Sequence, residues 1–248
     1  MITLDKYCKT SKDLVQFSTP DDIKEQAFAL DENFMIALTK GNAEKAHACV
    51  VSNSRYSVSA DKKYYESIGK HLADYTLAEF ERIIGLISTS NSTRSPKQST
   101  DALARYIYDN RDGVLGKLEA GDIGLVEDLE NCVGLPRKEK SLVSKICAYL
   151  CEYEFGKYSF IINDNVVRNV LPYYLAYYNV DKSLWTKRGE LKGFDQLSYG
   201  ELHMLLKEIQ DAVSDDLSLR DIDHILWYCY KTDAVRTSIA KEIVLRNL

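Results

Sequence analysis

A lysine and an aspartate, Lys145 and Asp164, stand nineteen positions apart in a segment that mixes reactive and apolar residues. Lys145 comes near the start of an apolar helical pattern over residues 139–155, and Asp164 opens the next helical pattern, at about 164–178. Residues 156–163 can span up to about 26 Å when extended, whereas the helix from Lys145 onward is about 16 Å long. The connection can therefore return along the first helix and bring the amine and the carboxylate to one cavity.

These two groups are suited to attack on a carbon that develops positive charge. Burial lowers the pKa of a lysine amine, and the neutral amine is a nucleophile that forms Schiff bases. A nearby carboxylate stabilises positive charge at the reacting carbon. Taken singly, a lysine on a helix is usually solvated and an aspartate that opens a helix is usually an N-cap. The inference therefore depends on the spacing of the pair.

Segment 141–175 resembles the helix-hairpin-helix superfamily of DNA glycosylases, with a spacing similar to that of the 8-oxoguanine glycosylases. In that family a lysine after the hairpin attacks the sugar, and an aspartate in a pattern like V-D-x-H-V-x-R begins the following helix. Lys145 has the spacing of that lysine, and residues 162–168, INDNVVR, match the second pattern with Asp164 as the aspartate. The hairpin departs from the family pattern L-P-G-V-G, because residues 139–144 are EKSLVS and contain neither glycine.

The resemblance implies duplex DNA as the partner, with the target base flipped into a pocket. Lys145 and Asp164 would be the catalytic residues. The residues that would contact DNA phosphates are Arg137, Lys138, Lys140, Ser141, Ser144 and Arg168. The residues that would line the base pocket are Tyr149, Asn163, Asn165 and Tyr173. A place in the core is the alternative for the tyrosines near position 173.

We expect no metal and no other cofactor. The six cysteines form no C-x-x-C pair, and the cysteine cluster that holds an iron–sulfur centre in some members of the family is absent. Reduced, mostly buried thiols are the simpler interpretation.

The elements that must position these residues are helices. Capping boxes at Thr76-x-x-Glu79, Ser198-x-x-Glu201 and Ser218-x-x-Asp221 each precede apolar residues at helical spacing. Further helical patterns cover residues 20–38, 43–51, 100–110, 114–120, 123–131 and 233–246. Residues 158–162 are either the one plausible strand or a buried connection. The sequence therefore predicts an all-α, irregular multi-helix glycosylase-like fold, with a helix-hairpin-helix-like element before Lys145.

The most polar stretch, residues 88–99, predicts an exposed loop. We place a boundary there, between an N-terminal helical part (1–95) packed on the core and a helical glycosylase-like core (96–248). One continuous globular unit is the alternative.

Composition is that of an ordinary globular protein. The 248 residues include 12 Gly and 4 Pro, with 45% apolar and 28% charged residues, which excludes collagen-like and low-complexity chains. A net charge of -5 argues against non-specific coating of nucleic acid but allows a local basic face. The chain has no long apolar run and no apolar signal core at its start. We therefore expect a cytoplasmic, DNA-associated protein without a membrane partner.

Two functions remain open at this point. The first is a DNA glycosylase, bifunctional with lyase activity at abasic sites, that excises a damaged or modified base. The second is a catalytically inactive helical module of the same fold that binds nucleic acid or a protein. The Lys145/Asp164 pair favours the first, whereas the missing hairpin glycines and the acidic net charge favour the second. A helical regulatory or phage-defence factor is a third class, because the first 60 residues match no pattern that we can interpret.

Overall fold

A computed structural model of the protein describes residues 28–33, 35–52, 60–90, 93, 95–180 and 197–231. Within these residues the regular secondary structure is helical, and one isolated antiparallel bridge joins Leu30 to Ile36. The predicted all-α fold class is confirmed. The helix predicted over residues 233–246 lies outside the described residues.

Ten α-helices occur in the described part of the chain. They are α1 (Lys40–Ser52), α2 (Ala60–Ile68), α3 (Leu77–Ser90), α4 (Lys97–Asp109), α5 (Arg111–Ala120), α6 (Gly124–Glu130), α7 (Lys140–Phe155), α8 (Asn165–Tyr177), α9 (Tyr199–Ala212) and α10 (Leu219–Tyr230). A short 3-10 turn, Leu72–Asp74, precedes α3. None of these helices has the length and apolar character needed to cross a bilayer.

The helices belong to two compact units. The first unit is Arg55–Asp164 and contains α2 to α7; the second consists of Met1–Ser54 and Asn165–Leu248 and contains α1 and α8 to α10. The chain does not divide at residue 95, where the sequence suggested a boundary, because α3 and α4 on either side of it pack together within the first unit.

Both ends of the polar stretch 88–99 are helical, since α3 extends to Ser90 and α4 begins at Lys97. Two of its serines, Ser88 and Ser99, are buried. The Ser88 hydroxyl is hydrogen-bonded to the Thr93 hydroxyl at 2.7 Å. The Ser99 hydroxyl donates to the carboxylate of Glu139, just before α7, at 3.0 Å. The predicted exposure is wrong for these two serines, because internal hydrogen bonds satisfy both hydroxyls. Thr89, Ser90, Pro96, Lys97 and Gln98 are exposed as predicted.

The core of the first unit forms around α7. No glycine or proline interrupts residues 140–155, and apolar side chains at helical spacing are buried, among them Leu142, Ile146 and Leu150. Helices α3, α5 and α6 pack against α7. The helix ends at Gly156, whose φ of 62° is in the left-handed region that favours glycine. Residues 160–162 then form a buried connection without a strand.

The three predicted capping boxes are present. Thr76 N–H donates to Glu79 Oε2 at 2.7 Å, and Glu79 N–H donates to Thr76 Oγ1 at 3.3 Å. Ser198 and Ser218 make the same reciprocal bonds at the starts of α9 and α10. These local contacts fix where three helices begin.

The helix predicted over residues 20–38 is wrong where the chain is described. Residues 28–33 and 35–39 are not helical, because the Asp31 carboxylate accepts the main-chain N–H groups of Asn33 at 2.8 Å and Met35 at 3.0 Å. Such side-chain-to-backbone bonds compete with helix formation. The segment folds back as a turn closed by the Leu30–Ile36 bridge.

The helix predicted to begin at residue 43 begins at Lys40 instead, so Gly41 and Asn42 lie in its first turn. The Asn42 side chain accepts the N–H of Ala29 at 2.9 Å and donates to Ala37 O at 2.7 Å. Asn42 therefore joins α1 to the preceding turn.

Candidate active site

A buried carboxylate fixes the start of α7. Glu139, just before the helix, accepts hydrogen bonds from Arg137 Nε at 2.9 Å, Ser95 Oγ at 2.8 Å and Ser99 Oγ at 3.0 Å. Burial raises the pKa of Glu139, but the bonds from Arg137, Ser95 and Ser99 outweigh it and lower this pKa below its usual value. The charged carboxylate thus ties the start of α7 to the start of α4.

The connection after α7 returns to the second turn of that helix, as its length allowed. The main-chain N–H of Asn163 donates to Ser144 Oγ at 3.0 Å, and Ser144 Oγ donates to Ser141 O at 3.2 Å. Ser144 is fully buried and Asn163 is 3% exposed. This bond sets the register between α7 and the returning segment.

A glycine lets the returning segment approach α5. Gly121 ends α5 with a φ of 68°, and a Cβ placed there would meet Ser159 Cβ at 2.8 Å. A side chain at position 121 would therefore require Ser159 to shift.

The structure brings the Lys145 amine and the Asp164 carboxylate together. Lys145 Nζ lies 4.0 Å from Asp164 Oδ2, and the two side chains are 6% and 11% exposed. Lys145 directly follows Ser144, and Asp164 directly follows Asn163. The same alignment of α7 with the returning segment therefore brings Ser144 to Asn163 and Lys145 to Asp164. Asp164 also immediately precedes α8, and a negative charge at a helix N-terminus is stabilised.

Apolar residues close to the pair in the chain are buried. On α7, Leu142, Val143 and Ile146 are buried, and on the returning segment Ile161 and Ile162 are buried. Electrostatic interactions are stronger in such a setting than in water. The arrangement can therefore hold a nucleophilic amine and a charge-stabilising carboxylate close together, with limited access for solvent.

The residues predicted to contact DNA divide by exposure. Lys138 is exposed, and the Arg137 side chain is 60% exposed although its guanidinium is bound to Glu139. Lys140 and Ser141 are half-buried. These four stay predicted contacts.

Ser144 requires a correction. It is fully buried and its hydroxyl is engaged by Asn163 and Ser141, so it cannot reach a phosphate. Arg168 is half-buried on α8, in the second unit, and stays a predicted contact.

Of the predicted base-pocket residues, two belong to the first unit. Tyr149 lies one helical turn after Lys145, is half-buried and stacks on Tyr153, with ring centroids 6.0 Å apart. Tyr153 OH in turn donates to Asp61 Oδ2 at 2.7 Å. The other residue is Asn163, whose main-chain N–H donates to Ser144 Oγ. This contact positions the backbone just before Asp164.

The other two predicted pocket residues belong to the second unit. Asn165 is the exposed first residue of α8. Tyr173 is 1% exposed; its hydroxyl donates to the Asp31 carboxylate and accepts from Asn33 Nδ2 at 3.3 Å. Burial raises the pKa of Tyr173. These are the contacts of a core residue, the alternative that the sequence also allowed.

Sequence reasoning missed two positioning groups, Ser144 and Glu139. Both hydrogen-bond to residues distant in the chain, which no local pattern reveals. The one available signal was the spacing: Ser144 and Asn163 are separated by nineteen positions, as are Lys145 and Asp164.

Within the described residues, no group of three or more His, Cys, Asp or Glu side chains is arranged to hold a metal ion. Four cysteines, Cys132, Cys147, Cys151 and Cys229, are buried thiols that are not joined in disulfides. Burial raises the pKa of the Cys147 thiol well above its usual value.

Comparisons with protein-family models, with curated proteins and with solved structures found no match to this chain. The family resemblance of segment 141–175 therefore stays a prediction, and the geometry around Lys145 and Asp164 is the basis for a functional proposal.

Proposed function

We propose that this protein is a DNA glycosylase with lyase activity at abasic sites. Lys145 is the nucleophile, and Asp164 stabilises the positive charge that develops on the sugar. The observation that carries the proposal is the 4.0 Å separation of Lys145 Nζ and Asp164 Oδ2 in a site where both side chains are mostly buried.

The proposed reaction begins at C1′ of the target nucleotide. The Lys145 ammonium gives up a proton, which the departing base takes up. The neutral amine donates its electron pair to C1′, and the bond to the base breaks with its electrons leaving on the base. Transfer of a proton from nitrogen to O4′ opens the sugar ring and leaves an iminium between Nζ and C1′. Loss of a C2′ proton then expels the 3′ phosphate by β-elimination. The Asp164 carboxylate stabilises the cationic sugar in the first step.

The low exposure of the pair constrains how DNA could be presented. A stacked base pair cannot bring C1′ to an amine that is 6% exposed, so the nucleotide must leave the duplex. The exposed cations Arg137 and Lys138, just before α7, are proposed to hold the phosphate backbone while this happens. Tyr149 is the proposed aromatic contact for the flipped base.

Borohydride trapping tests the proposal. The protein is incubated with a duplex that contains one abasic site, and borohydride reduces any iminium to a stable covalent adduct. We expect an adduct with the wild-type protein and none with Lys145→Arg, which keeps the positive charge beside Asp164 but is not a nucleophile. Equal adduct yields from the two proteins would contradict the role of Lys145.

Glycosylase activity needs a separate experiment, because abasic DNA has no base to release and tests only whether the lysine amine forms a Schiff base. A panel of duplexes that each carry one oxidised, deaminated or alkylated base is scored for base release. We expect release from at least one duplex, and loss of that release in Lys145→Arg. An adduct with abasic DNA but no release from any duplex would restrict the protein to lyase chemistry.

The inactive binding module remains the second candidate. The same low exposure favours it, because a mostly buried ion pair also occurs as a purely structural contact. Binding of abasic or undamaged duplex by fluorescence anisotropy, without adduct or base release, would favour this candidate over the enzyme.

A further inference from the structure

We propose that Ser144 is a positioning residue that holds Asp164 beside Lys145. This inference rests on the proposed function, because the geometry that Ser144 maintains matters for catalysis only if Lys145 and Asp164 react. It replaces the DNA contact that the sequence suggested for Ser144.

The contacts of Ser144 join two parts of the chain. Its hydroxyl accepts the main-chain N–H of Asn163 at 3.0 Å and donates to Ser141 O, one turn earlier in α7, at 3.2 Å. The donation to Ser141 leaves an oxygen lone pair directed at Asn163. One hydroxyl therefore couples α7 to the returning segment.

The consequence for the site follows from adjacency. Lys145 is the residue after Ser144, and Asp164 is the residue after Asn163. The Ser144–Asn163 bond therefore fixes the two backbones at the point from which the amine and the carboxylate project. The resulting separation of Nζ and Oδ2 is 4.0 Å.

Burial makes the hydrogen bond between Ser144 and Asn163 hard to replace. Ser144 is fully buried and Asn163 is 3% exposed, so water does not readily replace the hydroxyl. A buried N–H that loses its partner is unfavourable. The returning segment is expected to shift until the N–H of Asn163 finds another acceptor, and Asp164 moves with it.

The experiment compares Ser144→Ala with the wild-type protein. Two quantities are measured: the exchange rate of the Asn163 amide by NMR, and the single-turnover rate of borohydride trapping at saturating abasic DNA. We expect the amide to exchange at least about tenfold faster in Ser144→Ala. The trapping rate is expected to fall at least about tenfold, with little change in the affinity for DNA, because misplaced groups slow the reaction itself.

Two further variants separate positioning from stability. Ser88→Ala removes another buried, hydrogen-bonded hydroxyl of the same unit, and is expected to lower the melting temperature without slowing trapping. Ser144→Thr keeps a hydroxyl. If its Asn163 amide exchanges as slowly as in the wild-type protein, its trapping rate is expected to equal the wild-type rate. If the amide exchanges faster, trapping is expected to be slower. Wild-type trapping by Ser144→Ala, or equal slowing by Ser88→Ala, would overturn the inference.

A last measurement keeps this inference distinct from the proposed function. If the wild-type protein traps no abasic DNA, the proposed function fails, and the titration of the Lys145 amine is compared by NMR with labelled lysine. Positioning predicts a lower titration midpoint in Ser144→Ala, because a neighbouring carboxylate favours the charged amine. Identical midpoints in the two proteins would show that Ser144 does not hold Asp164 in place.

Discussion

Lys145 Nζ lies 4.0 Å from Asp164 Oδ2, although eighteen residues separate the two in the chain. The buried connection after α7 creates this proximity, and the bond between Ser144 Oγ and the Asn163 N–H fixes it. Burying two charged side chains costs desolvation energy. A role in a reaction would explain why the protein keeps this buried pair.

The ion pair should show energetic coupling. Lys145→Met and Asp164→Asn each remove one partner, and we expect each to lower the free energy of unfolding by about 2–3 kcal/mol, because the remaining, mostly buried group loses an opposite charge 4.0 Å away. The double variant should lose less than the sum of the two. Urea unfolding at pH 7 measures all four proteins. Strictly additive losses would mean that the two side chains do not interact.

Stability should depend on pH through Glu139. Its pKa is lower in the folded protein than the unfolded value of about 4.3, so its stabilising contribution is present above that value and is lost as the pH falls through the folded pKa. We expect Glu139→Gln to be about 1–2 kcal/mol less stable than wild type at pH 7. The difference should shrink below about pH 4. A difference that stays constant from pH 7 to pH 3 would be inconsistent with a charged, hydrogen-bonded Glu139.

Two glycines offer a matched pair of substitutions. Gly121 and Gly156 both end helices with φ near 60–70°, but only at Gly121 would a Cβ meet a neighbour, Ser159. Gly156→Ala should cost about 1 kcal/mol from backbone strain alone. Gly121→Ala should cost about 2–4 kcal/mol, because overpacking adds to that strain. Equal losses in thermal unfolding would show that Ser159 does not approach Gly121 closely.

Phosphate contact by Lys138 predicts a dependence on salt. Lys138→Ala should weaken binding to an abasic duplex and reduce the slope of log affinity against log salt by about 1. Lys207→Ala, on α9 and outside the predicted interface, is the control and should leave the slope unchanged. The test is fluorescence anisotropy between about 50 and 200 mM salt. If both variants keep the wild-type slope, the loop before α7 does not bind phosphates.

Features encoded locally were predictable from the sequence. The capping boxes at Thr76, Ser198 and Ser218 depend on residues three positions apart, and the end of α7 depends on one glycine, Gly156. The juxtaposition of Lys145 and Asp164 was also accessible, because it required only that the connection be long enough to return along the helix.

Features that depend on tertiary contacts were not predictable. Residues 28–39 carry a helical apolar pattern, but the hydroxyl groups of Tyr174 and Tyr230 bind the main chain at Ile36 from far away in the sequence. In the same way, nothing local shows that Ser144 binds Asn163 or that Ser99 binds Glu139. Polar residues that satisfy distant backbone or charged groups look like surface residues in a sequence.

Peptide mass spectrometry of the borohydride-reduced adduct tests the central claim most directly. After digestion of the protein and of the DNA, the remnant of the reduced sugar should be found on Lys145, and the adduct should form much more slowly in Asp164→Asn, by about 100-fold. A remnant on another lysine or on the amino terminus, or no adduct from correctly folded protein, would contradict the proposed role of Lys145.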